Sequence, residues 1–193
     1  MKARKILILN GHPDPSGERF TAALASAYAA GASQGGHQVR RIDVGALEFD
    51  VLRSANEFET GEPPPDIRKA QESILWADHL VMIFPLWLGA TPAVFKAFLE
   101  QTLRYGFALG LDGGRMKGLL AGRSARIVVT MGMPALVFRL VFGEFGIRSL
   151  ERGTLRIAGV RPVRRSVIGD VEGQARHRDA WLKRMSAFGA VAA

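Results

Sequence analysis

Short apolar runs alternate with longer segments of helical period along this chain. The runs are rich in Ile and Val, and polar or turn-forming residues bound each of them. They cover residues 5–10, 38–43, 79–84, 125–130 and 163–168. Runs of this length and composition are typical of buried strands, so the pattern predicts five strands separated by helical segments.

The segments between the runs place apolar residues at the three- and four-residue spacing of an α-helix. They predict helices over 20–33, 67–77, 147–158 and 171–188, and a further helix that has Pro92 in its first turn and continues through Leu103. A first-turn proline removes no internal hydrogen bond, so Pro92 is compatible with that start. Two stretches with several glycines or prolines, 45–66 and 109–122, are predicted as loops.

Strands that alternate with helices predict an α/β fold, a doubly wound five-stranded parallel sheet with helices on both faces. The 193 residues fit one domain, which we expect to span 1–193. Ligands of such sheets bind at the carboxyl ends of the strands, where the strand order reverses. The loops after the first, third and fourth predicted strands are therefore the places to search for a site.

The composition limits the chemistry that the chain can perform. It contains no cysteine, which excludes disulfides, thiolate metal ligands and thiol redox chemistry, so any redox reaction needs a cofactor. No pair of histidines has metal-ligand spacing with carboxylates, and we expect no metal site. No stretch approaches the roughly 18 to 20 apolar residues of a membrane span, and we expect a cytoplasmic protein.

The net charge of +8 is concentrated in the second part of the chain, where residues 115–193 hold 15 Lys or Arg against 5 Asp or Glu. Such a surplus can mark a surface for nucleic acid, anionic lipid or phosphorylated ligands. The alternative is an arginine-rich composition with no binding role. No recognition motif accompanies the arginines, so we expect no nucleic-acid partner.

Turn-forming residues follow the first predicted strand and lead into the N-terminus of a helix. Backbone N–H groups and the helix dipole favour an anion at such a place, and Ser16, Arg19 and Thr21 can add donors. The segment has neither the GxGxxG nor the Walker pattern, which disfavours ordinary dinucleotide and nucleoside-triphosphate sites. We expect a phosphate site with His12 in contact with the ligand; the alternative is an N-capped helix after an ordinary turn.

The loops after the third and fourth predicted strands supply apolar and glycine-bearing walls. Gly89 admits the close approach of a flat ligand, and Trp87 can lie beside an aromatic ring, although a buried core aromatic is the alternative. Thr130 and Gly132 follow the fourth strand. An anion site and two such walls suit a flat heterocycle that carries phosphate, such as a flavin.

Four motifs carry a resemblance to a known family. They are Gly11-His12-Pro13-Asp14-Pro15 with Phe20, Phe84-Pro85-Leu86-Trp87 through Lys96-Ala97-Phe98, Gly106-Phe107-Ala108, and Thr130-Met131-Gly132. The chain resembles the flavodoxin-like NAD(P)H:quinone oxidoreductases, a family that includes modulators of drug activity and ancillary subunits of potassium efflux systems. The resemblance extends over nearly the whole chain and is most specific in the loop and helix that follow the third strand.

The resemblance implies a flavodoxin-like fold, non-covalently bound FAD or FMN with FAD slightly favoured, NAD(P)H as electron donor, and a homodimer with active sites at the subunit interface. By position, the phosphate side would be held by His12, Ser16, Arg19, Phe20 and Thr21. The isoalloxazine ring would be lined by Pro85, Leu86, Trp87, Leu88, Thr130, Gly132 and Met133. Phe107 and Phe138 would belong to the substrate pocket.

One departure concerns the mammalian members, which have a tyrosine and a histidine after the strand-four loop that are proposed to relay charge. The nearest positions here are Phe138 and Glu144, so no side chain is assigned a certain catalytic role and the flavin carries the chemistry. The expected activity is an NAD(P)H dehydrogenase that reduces quinones or similar acceptors by two-electron ping-pong hydride transfer. N–H donors, with Gly132 and Met133 as candidates, would stabilise negative charge on the reduced ring.

Two other functions compete with the enzyme. A regulatory flavoprotein subunit would dock on a membrane potassium-efflux transporter through the basic second part of the chain. A one-electron flavodoxin carrier is disfavoured because flavodoxins are typically acidic, whereas this chain has a net charge of +8.

Overall fold

Seven β-strands form two sheets in the computed structural model, which describes residues 2–193. In chain order they are β1 (Lys5–Asn10), β2 (Gln38–Asp43), β3 (His79–Pro85), β4 (Leu109–Asp112), β5 (Arg115–Gly118), β6 (Ser124–Thr130) and β7 (Val163–Ile168). Five strands pair in parallel in the order β2-β1-β3-β6-β7, and β4 and β5 form an antiparallel hairpin. The predicted doubly wound parallel sheet with flavodoxin-like strand order is confirmed. Met1, which the predicted domain includes, lies outside the described residues.

Helices cover both faces of the parallel sheet. They are α1 (Phe20–Gln34), α2 (Ala55–Glu59), α3 (Pro65–Trp76), α4 (Ala93–Thr102), α5 (Ala135–Leu140), α6 (Phe145–Arg148) and α7 (Ala175–Ala190), with a 3-10 turn at Val44–Ala46 and a π-helical turn at Ser149–Leu155. Helices α1 and α7 pack on one face, and α3, α4 and α6 pack on the other. None of the helices in residues 2–193 is long and apolar enough to cross a membrane.

The central strands contribute side chains to both layers of the core. In β1, Leu7 and Leu9 face α3 and α4, whereas Ile6 and Ile8 face α1 and α7, and all four are fully buried. This alternation is the two-residue period of a strand that is covered on both faces. Burial of each such side chain contributes about 1.5–3 kcal/mol, so both helical layers are held to the sheet by the same strand.

The structure differs from the predicted elements in five places. The predicted loop 109–122 contains the β4–β5 hairpin, whose strands are four residues long and mostly exposed, so they lack the apolar run of a core strand. The predicted loop 45–66 contains α2 and the start of α3. Part of the predicted helix 147–158 is π-helical, and the last helix begins at Ala175 instead of residue 171. Helix α5 was not predicted, because most of its apolar side chains point to solvent.

His79 is a buried titratable group at the amino end of β3. Its side chain is 2% exposed, its Nδ1 lies 2.8 Å from Ser124 Oγ, and its ring stacks on Tyr28 at 6.4 Å between centroids. Burial is the main cause that lowers the pKa of His79 to about 3, and the charges of Arg4, Arg126 and Arg164 contribute in the same direction. The imidazole is therefore neutral at pH 7.

We expect acid to destabilise the fold through His79. The pKa of His79 falls from 6.5 in the unfolded chain to about 3 in the folded one, so the unfolded chain binds the proton first. The contribution is fully present above pH 6.5 and is lost progressively between about pH 6.5 and pH 3. The loss at pH 5 relative to pH 7 is about 2 kcal/mol in the free energy of unfolding.

Urea unfolding at pH 7 and pH 5 in phosphate-free buffer measures this effect. In His79→Gln, which keeps an N–H donor but cannot be protonated, the difference between the two pH values should shrink by about 2 kcal/mol. His177→Gln, at a half-buried position in α7 whose Nε2 lies 3.0 Å from the Gly169 oxygen, is the matched control and should leave the effect of His79 in place. An unchanged pH difference in His79→Gln contradicts the assignment.

Candidate functional site

The loops after β1, β3 and β6 leave the parallel sheet at one edge. Hydrogen bonds between neighbouring strands fix their starting points: the Gly11 N–H donates to the Ile83 oxygen at 2.8 Å, and the Leu86 N–H donates to the Thr130 oxygen at 2.7 Å. This edge holds the carboxyl ends of β1, β3 and β6, with β3 between the other two. The geometry creates the crevice in which ligands of doubly wound sheets bind.

Asp14 organises the loop that follows β1. Its Oδ1 accepts the Ser16 N–H at 2.9 Å, and its Oδ2 accepts a hydrogen bond from Arg19 Nε at 2.7 Å. The Ser16 N–H and the Arg19 guanidinium lower the pKa of Asp14 to about 2, so it is ionised at neutral pH. Arg19 is therefore already paired with a carboxylate and is not a free cation for a phosphate group.

His12 links this loop to the loop that follows β3. The Asp14 N–H donates to His12 Nδ1 at 3.0 Å, which leaves the proton of the neutral ring on Nε2. Burial and the charge of Arg19 lower the pKa of His12, so the neutral form prevails at pH 7. The imidazole packs edge-on against the Trp87 ring at 6.2 Å between centroids. His12 can thus offer one N–H donor beside an aromatic wall.

The N-terminus of α1 has donors that nothing in the described chain uses. No side chain caps the helix at Arg19, so the first N–H groups of α1 point toward the loop. Thr21, in the first turn, is 2% exposed and its Oγ1 has no hydrogen-bond partner in residues 2–193; Asn10 Oδ1, at the end of β1, also has none. Buried polar atoms without partners are costly, so these groups suit a polar ligand.

The loop after β3 forms an apolar wall. Residues 87–90 make a tight turn in which the N–H groups of Trp87 and Ala90 each donate to the other's oxygen at 3.0 Å, with Leu88 in the left-handed region at φ 48°. Trp87 is 50% exposed, so it is not a core side chain, and Leu88 is fully exposed. Helix α6 supports the turn closely: a Cβ on Gly146 would lie 2.2 Å from the Gly89 oxygen.

The loop after β6 presents backbone donors on the other side of the crevice. The N–H groups of Gly132 and Met133 donate no hydrogen bond within residues 2–193, whereas the oxygens of Met131 and Met133 accept from Val171 and Asp170. Glu172 adds a carboxylate here, because a Cβ on Gly132 would lie 3.6 Å from its carboxyl carbon. An anion at the Gly132 N–H would therefore meet a nearby negative charge.

Glu172 was missed in the sequence analysis. The predicted helix 171–188 placed this residue inside a charged helix, whereas it lies in the turn before α7. A local signal was present in the Gly169-Asp170 and Glu172-Gly173 pairs, which favour a turn.

The two residues predicted for the substrate pocket are covered or half-covered in the single chain. Phe138 is 1% exposed and stacks on the half-exposed Phe142, and its place in a substrate pocket stays a prediction. Phe107 is half-buried against the core near the β4–β5 hairpin, and its N–H donates to the Arg104 oxygen at 3.2 Å. Burial of apolar side chains accounts for both positions.

Glu144, near the place of the family's histidine, is buried and forms an ion pair with the more exposed Arg165. It accepts a hydrogen bond from Arg165 Nη1 at 2.8 Å, and Arg165 also pairs with Glu151 at 3.1 Å. The backbone of Glu144 lies in the left-handed region at φ 53°. The pair fixes the start of α6 against the edge strand β7. Within residues 2–193, no group of three or more His, Cys, Asp or Glu side chains could hold a metal ion.

Comparisons with known proteins agree with this geometry. The chain is 28% identical over 173 residues to an uncharacterized NAD(P)H oxidoreductase of Haemophilus influenzae. The match covers 86% of this chain and 83% of the relative. A shorter match, 39% identical over 59 residues, links it to the FMN-dependent NADH:quinone oxidoreductase 2 of a Jannaschia species, over 31% of this chain and 28% of the relative.

The solved structure of the NAD(P)H:quinone oxidoreductase from Methanothermobacter marburgensis is also similar. It superposes with a TM-score of 0.83 at 25% identity, and the match covers 100% of both chains. The family model described as Flavodoxin-like fold matches residues 4–188. The chain therefore belongs to the Flavodoxin-like fold family.

Proposed function

We propose that this protein is a flavin-dependent NAD(P)H dehydrogenase that reduces quinones or similar acceptors by two-electron transfer. The observation that carries the proposal is the convergence of an anion-binding helix end, an aromatic wall and free backbone donors at one edge of the sheet. The names of the three similar proteins, all oxidoreductases, support the same activity. None of these three is named as a transporter subunit, so the regulatory alternative gains no support from them.

The residues at this edge fit a flavin. The first N–H groups of α1, the unpartnered Thr21 hydroxyl and the Nε2–H of His12 would hold the phosphate end. Leu86 and Trp87 would flank the ring system, and the N–H groups of Gly132 and Met133 would face its polar edge. FMN and FAD share this phosphate group and ring, and the relative from Jannaschia is named as FMN-dependent.

A bound flavin supplies the two-electron transfer between NAD(P)H and the acceptor. The chain's own residues would bind and orient the flavin: Trp87 would lie against one face of the ring, and the N–H groups of Gly132 and Met133 would donate to its polar edge beside the Glu172 carboxylate. At the two positions nearest the mammalian relay residues, Phe138 has no exchangeable proton and Glu144 is held by Arg165. We place the reaction in the cytoplasm, where NAD(P)H is supplied, and in one domain that spans 1–193.

An exposed apolar surface continues from the candidate site along α5. We call it the α5 face; its residues are 41–74% exposed and comprise Leu136, Val137, Leu140, Val141, Phe142 and Phe145. Contiguous apolar patches of this kind usually mark interfaces. A second copy of the chain would cover the α5 face and enclose the apolar wall, which supports a homodimer with the site beside the interface.

Purified protein should be yellow and contain about one flavin per chain. Heat release and chromatography identify the flavin as FMN or FAD. Stopped-flow mixing with NADH or NADPH should reduce the flavin and remove its visible absorbance. In a separate half-reaction, quinones tested one by one should reoxidise the flavin and restore that absorbance. A colourless protein that takes up neither added FMN nor added FAD would overturn the proposed function.

Replacement of Thr21 by valine tests the phosphate site. The change removes a hydroxyl that has no partner in the chain, so the flavin-free protein should keep or gain stability. Flavin binding should weaken by about 0.5–1.5 kcal/mol, roughly a two- to tenfold rise in the dissociation constant. Fluorescence titration with FMN and FAD gives the affinity, and thermal unfolding gives the stability.

Thr102→Val is the matched control for this experiment. The Thr102 hydroxyl donates to the Phe98 oxygen at 2.6 Å within α4, away from the three loops. This variant should lose a little stability and keep its flavin affinity. Equal flavin affinities in Thr21→Val and the unsubstituted chain would show that Thr21 does not hold the phosphate group.

Replacement of Leu140 by glutamate tests the dimer. A charge in the middle of the α5 face should weaken self-association, because an unpaired buried charge is costly. Light scattering after size-exclusion chromatography should show a dimer for the unsubstituted chain and a monomer for Leu140→Glu at micromolar concentration. Leu75→Glu, on the exposed side of α3, is the control and should leave the dimer intact. A dimer that survives Leu140→Glu would place the interface elsewhere.

A further inference from the structure

A second cavity opens at the edge of the sheet opposite the candidate flavin site. It has a volume of about 330 Å³, and its polar lining comprises Arg4, His79, Ser124, Arg161 and Arg164. These residues precede or begin the strands, at the amino ends of β1, β3, β6 and β7. Because β3 has seven residues, the cavity lies roughly 20 Å from the loops at the carboxyl edge.

Positive charge in this cavity has no Asp or Glu partner among the lining residues. Ala193 also lines the cavity, and its oxygen accepts from Arg126 rather than from Arg4, Arg161 or Arg164. Arg4 donates only to neutral acceptors, which are Ser124 Oγ at 2.7 Å and the backbone oxygens of Asp78 and Ala192 at 3.1 Å. Arg161 and Arg164 are exposed, and their side chains make no hydrogen bond or ion pair within the described chain. Guanidinium groups in one cavity repel one another unless an anion lies between them.

His79 adds a buried donor to the same cavity. Ser124 Oγ accepts from Arg4, and its own hydroxyl proton has His79 Nδ1 as acceptor at 2.8 Å. The proton of the neutral imidazole is then on Nε2, which is buried and has no hydrogen-bond partner in residues 2–193. A buried N–H of this kind is costly in isolation and is satisfied by an anionic oxygen.

The neighbouring Arg126 does not share this role. Its Nη1 donates to Ser166 Oγ at 2.6 Å, its Nε donates to the Ala193 oxygen, and its guanidinium lies 3.9 Å from the centroid of the Phe188 ring. These contacts hold α7 and the segment after it against the sheet. The free donors of the cavity are therefore those of Arg161, Arg164 and His79, with Arg4 beside them.

We propose that this cavity is a second anion site, which binds a phosphate group independently of the flavin. Arg161 and Arg164 offer the planar guanidinium groups that bind phosphate oxygens in a bidentate manner, and His79, which has an unpartnered Nε2–H, lines the same cavity. A phosphate monoester or inorganic phosphate supplies the required oxygens and charge. Two of the 15 Lys or Arg residues of 115–193, Arg161 and Arg164, line this cavity.

Calorimetric titration of the flavin-saturated protein with inorganic phosphate at low salt tests this proposal. Saturation with flavin keeps the probe out of the site at the carboxyl edge. The double variant Arg161→Gln with Arg164→Gln should bind phosphate at least about tenfold more weakly, because two charge-assisted contacts are lost. The double variant Arg68→Gln with Arg152→Gln removes the same charge from exposed positions elsewhere and should stay within about twofold of the unsubstituted chain.

Three results would overturn the proposal: no phosphate binding by the unsubstituted chain, equal weakening in both double variants, or no weakening in either. A second titration with glycerol phosphate, and a third with vesicles that contain phosphatidic acid, separate free phosphates from lipid headgroups as the source. Binding of the vesicles without binding of either free phosphate would also overturn it.

Imidazole nitrogen NMR provides a readout that does not depend on the arginine variants. Inorganic phosphate should shift the Nε2 signal of His79 and leave that of His177 unchanged, since His177 bonds to the Gly169 oxygen in another part of the chain. Binding without any shift at His79 would contradict the proposed contact.

Discussion

The parallel register of β1, β3 and β6 is the constraint on which the candidate site depends. Asn10 pairs with Ile83 and Pro85 pairs with Thr130, so three loops begin at the same edge. A slip by one residue would turn Leu7 and Ile8 to the wrong layers of the core, and the burial of both therefore fixes the register. Gly11 completes the arrangement, because a Cβ there would lie 2.5 Å from the Phe95 ring of α4. The core thus determines where the ligand-binding backbone can run.

The two edges of the sheet differ in whether their arginines have carboxylate partners. At the carboxyl edge, Arg19 is paired with Asp14, so an anion is left to helix N–H groups, a hydroxyl and a neutral imidazole. At the amino edge, Arg161 and Arg164 have no carboxylate partner in the described chain, and a neutral His79 lies behind them. Backbone and side-chain dipoles bind an anion only in a preferred direction, whereas cations without a carboxylate partner bind an anion less tightly as the salt concentration rises. The candidate site at the carboxyl edge is therefore expected to be selective for its ligand, and anion binding at the amino edge is expected to depend on ionic strength.

The sequence was sufficient for the strands of the main sheet, all five of which were located to within a residue. The central strands β1, β3 and β6 are covered on both faces and have continuous apolar runs, whereas the edge strands β2 and β7 are partly exposed and were located from shorter runs. Elements with exposed residues were missed: α5 turns its apolar side chains to solvent, and the β4–β5 hairpin has few buried ones. Within the site, loop positions followed from the strand ends. The pairing of Arg19 with Asp14 and the approach of Glu172 to Gly132 depend on turn geometry that residue types do not specify.

The side chains at the positions nearest the mammalian relay residues, Phe138 and Glu144, change what association between two chains would contribute. Phe138 is in the core and Glu144 is held by Arg165, so the single chain offers its ligand mainly backbone donors and an apolar wall that is open to water. Backbone donors act strongly only where water is excluded, because solvent screens their dipoles. The α5 face begins three residues after Met133 and is itself apolar, so a partner that covers it would also remove water from the donors of Gly132 and Met133. Dimerisation would then provide the low-dielectric surroundings that this chain does not supply alone.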